Sequence, residues 1–96
     1  MLTGKQKRHL RSLAHHLDPI FQVGKGGVND QLIIHIQEAL ERRELIKVSI
    51  LNNCFDDRYE IADELASGAG AELVQVIGKV IILYKESKEH KTIELP

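Results

Sequence analysis

Four residues near the start of the chain, Gly24-Lys25-Gly26-Gly27, have the composition of a phosphate-binding loop. Three glycines in four positions let the backbone adopt positive φ angles and let a ligand approach it closely, and Lys25 adds a positive charge. The loop follows a predicted strand (Ile20–Val23) and precedes a predicted helix, so backbone N–H groups and the helix dipole would point at a bound anion. The pattern is equally typical of a plain strand-to-helix connection.

Comparison with known phosphate-binding loops reduces the number of ligand classes that the loop could bind. A Walker A loop is excluded because no Ser or Thr follows a Gly-Lys pair. The dinucleotide fingerprint G-x-G-x-x-G is excluded because its last position is Asn29. The shorter pattern G-x-x-G does match at Gly24–Gly27, and in KH-type modules this loop clamps a nucleic-acid backbone. A four-residue pattern carries little weight alone, so the rest of the chain must decide.

A basic helix is predicted from Thr3 to Leu17, ahead of the loop. Thr3 and Gln6 form a capping-box pair, and an apolar stripe repeats at helical spacing: Leu10, Leu13, Ala14 and Leu17. The opposite face is basic, and no Asp or Glu occurs between residues 1 and 17. The predicted nucleic-acid contacts on this helix are Lys5, Lys7, Arg8, Arg11 and His15. The alternative is a solvated face without a ligand, but the missing acidic partners favour a polyanion.

The charge distribution supports the same interpretation, although the net charge of the 96 residues is −1. Residues 1–25 hold five Lys or Arg and one Asp, which gives +4, whereas residues 26–96 hold eight Lys or Arg and thirteen Asp or Glu, which gives −5. The basic part therefore includes the tip of the glycine loop.

Length and composition predict one domain, residues 1–96, in the cytoplasm. A single cysteine, Cys54, excludes an internal disulfide and favours a reducing compartment. No apolar run approaches the roughly 20 residues that span a bilayer, and the first residues lack the apolar core of a signal peptide. We expect no membrane contact and a monomer.

Hydrophobic periodicity predicts the remaining elements. A helix runs from Asn29 to Arg43, a strand from Leu45 to Leu51, and an acidic helix begins at Asp56 or Asp57, with Glu60 completing a capping box for Asp57. Gly68 and Gly70 end that helix. A hairpin with a Gly78-Lys79 turn joins strands 72–77 and 80–84.

The predicted fold class is α/β (α+β), with the order α-β-α-β-α-β-β and helices packed on a four-stranded mixed sheet. The two β-α-β units favour parallel neighbouring strands, and the hairpin must be antiparallel. The almost wholly apolar last strand is typical of a central strand that is covered on both faces. The acidic helix should lie away from the binding face, and residues 86–96 are predicted to be a mobile tail.

Nothing in the sequence indicates an enzyme, a cofactor or a metal site. Cys54 has no His or Asp pairing that would activate a thiol. His15 and His16 are adjacent, so they point to different faces of a helix and cannot share a metal ion with His9. Catalytic residues, metal ligands and cofactors are therefore all predicted to be absent.

Four segments resemble the CRM domain, the chloroplast RNA splicing and ribosome maturation module. They are L-T-G-K-Q-K-R-H-L-R-S-L-A-H-H-L at 2–17, P-I-F-Q-V-G-K-G-G-V at 19–28, E-L-I-K-V at 44–48 and A-E-L-V-Q-V-I-G-K at 71–79. They occur in the family's order and cover about residues 2–85. Bacterial members, the YhbY-like proteins, consist of this domain alone. One departure is Lys85, where the family often has Arg. A lysine keeps the positive charge but cannot form the bidentate contact that arginine makes with a phosphate.

The resemblance implies a KH-like RNA-binding fold, also similar to the C-terminal domain of translation initiation factor three. It implies association with precursors of the large ribosomal subunit. It assigns RNA contacts to the loop Gly24–Gly27 and to the basic first helix. Few aromatic residues are present, which suits a grip on the sugar-phosphate backbone with little base readout.

Two other functions remain open at this point. The loop could bind a small phosphate ligand, which a nucleotide-dependent shift in melting temperature would reveal. The acidic helix could bind a ribosomal protein, in which case ribosomal association would resist RNase.

Overall fold

A four-stranded sheet separates the molecule into two layers of helices. The computed structural model describes residues 1–96, and its elements are α1 (Gly4–Ala14), β1 (Phe21–Val23), α2 (Asp30–Arg43), β2 (Leu45–Ile50), α3 (Arg58–Ala69), β3 (Glu72–Ile77) and β4 (Val80–Tyr84). The predicted order α-β-α-β-α-β-β and the mixed α+β sheet are confirmed.

Side-chain caps define where the helices begin. The backbone N–H of Gln6 donates to Thr3 Oγ1 at 3.1 Å, and the Thr3 N–H donates to Gln6 Oε1 at 3.0 Å, which is the predicted capping box. Asn29 Oδ1 accepts from the Leu32 N–H at 2.8 Å. At α3, Asp57 is the cap, but its carboxylate accepts from the Tyr59 N–H rather than forming the box predicted with Glu60.

The strand order is β1-β2-β4-β3. β1 is parallel to β2, as predicted, while β4 is antiparallel to both β2 and β3. The prediction that β2 and β3 are also neighbours is wrong, because β4 lies between them. The Gly78-Lys79 turn places β4 beside β3, and the most apolar strand then occupies the centre of the sheet, where both of its faces are covered.

Two apolar clusters lie on the two faces of the sheet. Side chains alternate along β4, so Ile81 and Leu83 join the cluster with α2 and α3, whereas Ile82 and Tyr84 join the cluster with α1. α1 contributes Leu10 and Ala14, which are completely buried. The sheet therefore keeps α1 apart from the other two helices.

α1 is shorter than the sequence predicted. It ends at Ala14, and Leu13 and Leu17 are 39% and 36% exposed rather than part of the buried stripe. The Leu17 N–H donates to the Ala14 carbonyl in a turn, and Pro19 disfavours helical geometry at Asp18. The helix therefore could not continue through this segment.

Gly68 does not end α3, contrary to the prediction. It lies inside the helix, where a Cβ would come within 2.8 Å of Ile33 Cδ1. Its missing side chain therefore allows α2 and α3 to pack closely. Gly70 is the residue that ends α3, with a φ of +65°.

The segment from Ser87 to Pro96 lies against the domain through two glutamates at the end of α2. Glu44, which is fully buried, accepts backbone N–H groups from Ser87 (2.9 Å), Thr92 (2.7 Å) and Ile93 (2.9 Å). Glu41 accepts the N–H groups of Lys88 and Glu89, both at 3.0 Å. Mobility of residues 86–96 stays a prediction, and these contacts count against it.

The same hydrogen bonds keep both carboxylates ionised. Burial raises the pKa of Glu44, but the N–H groups of Ser87, Thr92 and Ile93 together lower it by more. The Lys88 N–H is the largest cause that lowers the pKa of Glu41, from 4.5 to about 2. Because both folded-state pKa values lie below the unfolded ones, their stabilisation is complete above the unfolded pKa and is lost as the pH falls through the folded pKa.

We expect Glu44→Ala to lower the free energy of unfolding by about 2 kcal/mol, because three backbone N–H groups lose a buried acceptor. Urea unfolding measures the loss, and amide hydrogen exchange at Ser87, Thr92 and Ile93 shows whether the tail detaches. Glu38→Ala is the matched control, since Glu38 is exposed on the same helix. The unchanged protein should lose protection at these amides in acid, as the pH falls through the lowered pKa of Glu44. If the amides of Ser87, Thr92 and Ile93 exchanged rapidly at neutral pH in the unchanged protein, the tail would be mobile, as the sequence predicted.

Candidate nucleic-acid interface

The glycine loop has a tight turn at one end and an open tip. The Gly27 N–H donates to the Gly24 carbonyl at 2.9 Å, and Gly27 has a φ of +68°. Gly26 has no positive φ, and a Cβ added there would meet no atom within 4 Å. Gly27 is thus required by the backbone conformation, whereas Lys25 and Gly26 form the exposed tip where a ligand has access.

Two carboxylates limit the side from which an anion can approach. Asp56 Oδ2 lies 3.2 Å from the position that a Cβ on Gly27 would occupy, and Asp30 lies in the first turn of α2. Asp56, which the sequence placed on the acidic helix, precedes α3 and lies beside Gly27. That the acidic helix itself lies away from the binding face stays a prediction. A phosphate would be repelled near Gly27, so the open approach is to Lys25 and Gly26.

Two further loops meet the glycine loop at this end of the sheet. Leu51, just after β2, donates its N–H to the Val23 carbonyl at 2.8 Å. In the β3–β4 turn, Lys79 Nζ donates to Asn52 Oδ1 at 2.6 Å, and Arg58 Nη1 donates to the Gly78 carbonyl at 3.0 Å.

Lys79 and Arg58 are thus two cations at this end that the sequence did not assign to the site. The directions of the strands could have revealed Lys79. β1 and β2 are parallel and the predicted crossover makes β3 run the same way, so all three carboxyl ends meet at one edge.

The cations of α1 carry no ion pairs. The three ion pairs of the structure are Met1–Glu72, His90–Glu41 and Lys91–Glu86, and none involves Lys5, Lys7, Arg8, Arg11 or Lys25. Lys5, Arg8 and His15 are exposed, while Lys7 and Arg11 are half-buried. All of these charges therefore remain available to a polyanion.

One flank of α1 faces the sheet across a groove of about 390 Å³. Arg11, Ala14 and His15 form one wall, and the residues opposite are Lys47, Gln75, Ile77, Val80 and Ile82. Arg11 was predicted to lie on the face opposite the apolar stripe, but in the structure it lines this groove and does not point directly away from the molecule. We name this feature the α1–sheet groove. Ile77 and Val80 pair at the end of the hairpin, which is the end that carries the glycine loop.

Residues 2–85 match the family model of the CRS1 / YhbY (CRM) domain. The chain belongs to the CRM domain family. Its relatives include "Probable RNA-binding protein YqeI" of Bacillus subtilis, which is 68% identical over 96 residues and is covered completely, as is this chain. A second relative, named "RNA-binding protein", comes from Haemophilus influenzae; it is 37% identical over 95 residues, which cover 99% of this chain and 95% of that protein.

A solved structure has the same fold. The solution structure of the hypothetical protein SAV1595 from Staphylococcus aureus aligns over 100% of both chains, with a TM-score of 0.84 and 62% identity. This likeness confirms the predicted fold class. The predicted RNA contacts at Gly24–Gly27 and on α1 stay predictions.

Other polar groups of this CRM domain have structural partners. Lys85 Nζ donates to the Ala69 carbonyl at 3.2 Å, so its charge stabilises the C-terminal end of α3. Cys54 is buried. Glu41, Glu89 and His90 offer ligand atoms within 4.8 Å of one another, but Glu41 already accepts tail N–H groups.

None of the three helices is long and apolar enough to cross a membrane.

We expect Gly27→Ala to lower the free energy of unfolding by about 1–2 kcal/mol, because the residue must keep a left-handed conformation. Gly26→Ala should leave stability unchanged or raise it by up to about 1 kcal/mol, since it only restricts the unfolded chain. Urea denaturation of both variants makes the comparison. Equal effects of the two substitutions would contradict this assignment of the turn.

Proposed function

We propose that this CRM domain binds RNA, gripping the sugar-phosphate backbone with α1 and the tip of the glycine loop. The observation that carries the proposal is a set of cations that form no ion pairs, together with the open tip of the glycine loop. These cations are Lys5, Lys7, Arg8, Arg11 and Lys25. The relatives named as RNA-binding proteins support it. Contacts of this kind position the RNA without reading its sequence.

We further propose that the bound RNA is ribosomal RNA in precursors of the large subunit, and that the domain acts in ribosome assembly in the cytoplasm. This step rests on the family's implied role and not on a feature of the fold. Sedimentation of cell extracts tests it: the protein should migrate with large-subunit precursors, and RNase should release it. Association that resists RNase would favour the alternative, docking on a ribosomal protein.

We propose no catalytic activity, and no cofactor, for this domain. Cys54 is the one thiol, and it is buried at the start of the segment that leads into α3. No basic side chain donates to it or accepts from it in the structure. A single domain of residues 1–96 acting as a monomer is sufficient for the proposed grip on RNA.

We expect Lys25→Asp to lower RNA affinity by at least ~10-fold, about 1.4 kcal/mol, because it places a carboxylate where a phosphate approaches. Gly26→Asp should act similarly, and the open space around Gly26 means that neither variant strains the fold. Lys88→Asp makes the same charge change next to Glu41, at the other end of α2, and should have little effect. Fluorescence anisotropy gives the affinity and thermal melting confirms folding. If the folded Lys25→Asp variant bound RNA as well as the unchanged protein, the loop would be only a connection between β1 and α2 and not an RNA-binding site.

The affinity should depend strongly on salt. If the five cations neutralise roughly 3–5 phosphates, log affinity falls against log salt with a slope of about −2 to −4. Arg11→Ala should flatten that slope by just under one unit, whereas Arg42→Ala, at the far end of α2, should not change it. Titrations at several salt concentrations provide the slopes. A nearly flat dependence would exclude an electrostatic grip.

A further inference from the structure

The α1–sheet groove combines an apolar floor with cationic walls. Ile77 and Val80 belong to the floor, and Ile77 is 53% exposed although it lies on a strand. Arg11 contributes one wall, and Lys47 stands on β2 opposite it. An apolar surface beside two cations matches a ligand that has a flat apolar face and a negative charge.

The charges of the groove are not neutralised by the protein. No Asp or Glu lines it, and neither Arg11 nor Lys47 takes part in an ion pair. Lys47 Nζ donates to the Leu17 carbonyl at 2.9 Å, which holds the ammonium group beside the end of α1. Two of its three N–H donors remain for a ligand.

The side-chain amide of Gln75 can form hydrogen bonds with the polar edge of a ligand in the groove. Its side chain lies in the groove and makes no hydrogen bond to the rest of the chain, so the amide offers both donors and an acceptor. Arg11 offers a planar guanidinium group, on which bases stack in RNA complexes. The volume of about 390 Å³ falls in the range of small-ligand sites.

We propose that the α1–sheet groove binds one unpaired nucleotide of the RNA. Its base lies on Ile77 and Val80, its edge meets Gln75, and its phosphate lies between Arg11 and Lys47. The inference rests on the proposed RNA binding and adds that the domain distinguishes single-stranded from duplex RNA. A paired base is stacked inside a helix and cannot enter the groove.

The position of the groove links it to the glycine loop. The β3–β4 turn follows Ile77, and Lys79 in that turn bonds to Asn52, in the segment next to the loop. A single strand that crosses this end of the sheet can therefore place one phosphate at Lys25 and a base in the groove. The cationic walls favour a nucleotide over a neutral peptide, because a neutral peptide would leave two charges without partners.

The test uses substitutions that leave the charge of the protein unchanged. Ile77→Ala and Gln75→Ala should each lower the affinity for a single-stranded hexanucleotide by at least ~5-fold, since stacking and edge contacts are lost. Affinity for a fully paired RNA hairpin should change by less than ~2-fold, and the salt slope should stay the same. Ile34→Ala is the matched control: Ile34 is 48% exposed, on α2.

NMR provides a direct readout in the unchanged protein. The side-chain amide resonances of Gln75 should shift when the hexanucleotide is added and stay in place when the duplex is added. Thermal melting of each variant verifies folding. Unshifted Gln75 resonances in a protein that binds the hexanucleotide would overturn the groove assignment.

The outcomes separate this inference from the proposed function. If Ile77→Ala binds the hexanucleotide normally while Lys25→Asp does not, the groove proposal is wrong and RNA binding stands. If the unchanged protein binds no RNA, both fail. If Ile77→Ala changes only self-association, measured by sedimentation, the groove is occupied by a second copy and the nucleotide proposal is wrong.

Discussion

Burial of β4 on both faces is the constraint on which the rest of the structure depends. Ile81 and Leu83 need cover on one side, and Ile82 and Tyr84 need it on the other. One helical layer could not supply both, so α1 must pack on the face opposite α2 and α3. The same requirement places β4 between β2 and β3, where neither of its edges is open.

This arrangement has an electrostatic consequence. α1 carries Lys5, Lys7, Arg8 and Arg11, while α3 carries acidic residues such as Asp63 and Glu64, and the sheet lies between the two helices. The chain is almost neutral overall, yet it presents separate basic and acidic surfaces. A polyanion can therefore approach α1 with little repulsion from α3, and net charge alone is a poor guide to the partner.

The two ends of the sheet have different tasks. At one end, Glu41 and Glu44 hold the tail, and the tail in turn packs through Ile93 and Leu95 against the apolar cluster between α1 and the sheet. At the other end, the glycine loop and the α1–sheet groove leave backbone, cations and an apolar surface open. The carboxylates that hold the tail and the proposed RNA contacts at Lys25 and Gly26 thus belong to different ends of the molecule, which allows each set to be altered without the other.

The sequence by itself determined the order of the elements, the caps at Thr3 and Asn29, the central position of β4 and the family. The elements, the caps and the apolar character of β4 depend on residues close together in the chain, and the family follows from four segments in a fixed order. Only the tertiary structure decided that β4 separates β2 from β3, that Asp56 lies beside Gly27, and that Gly68 serves helix packing. It alone showed that Glu44 binds the tail and that Arg11 faces Lys47 and Gln75. These contacts join residues far apart in sequence, and they follow from how the layers pack around β4, which no local pattern contains.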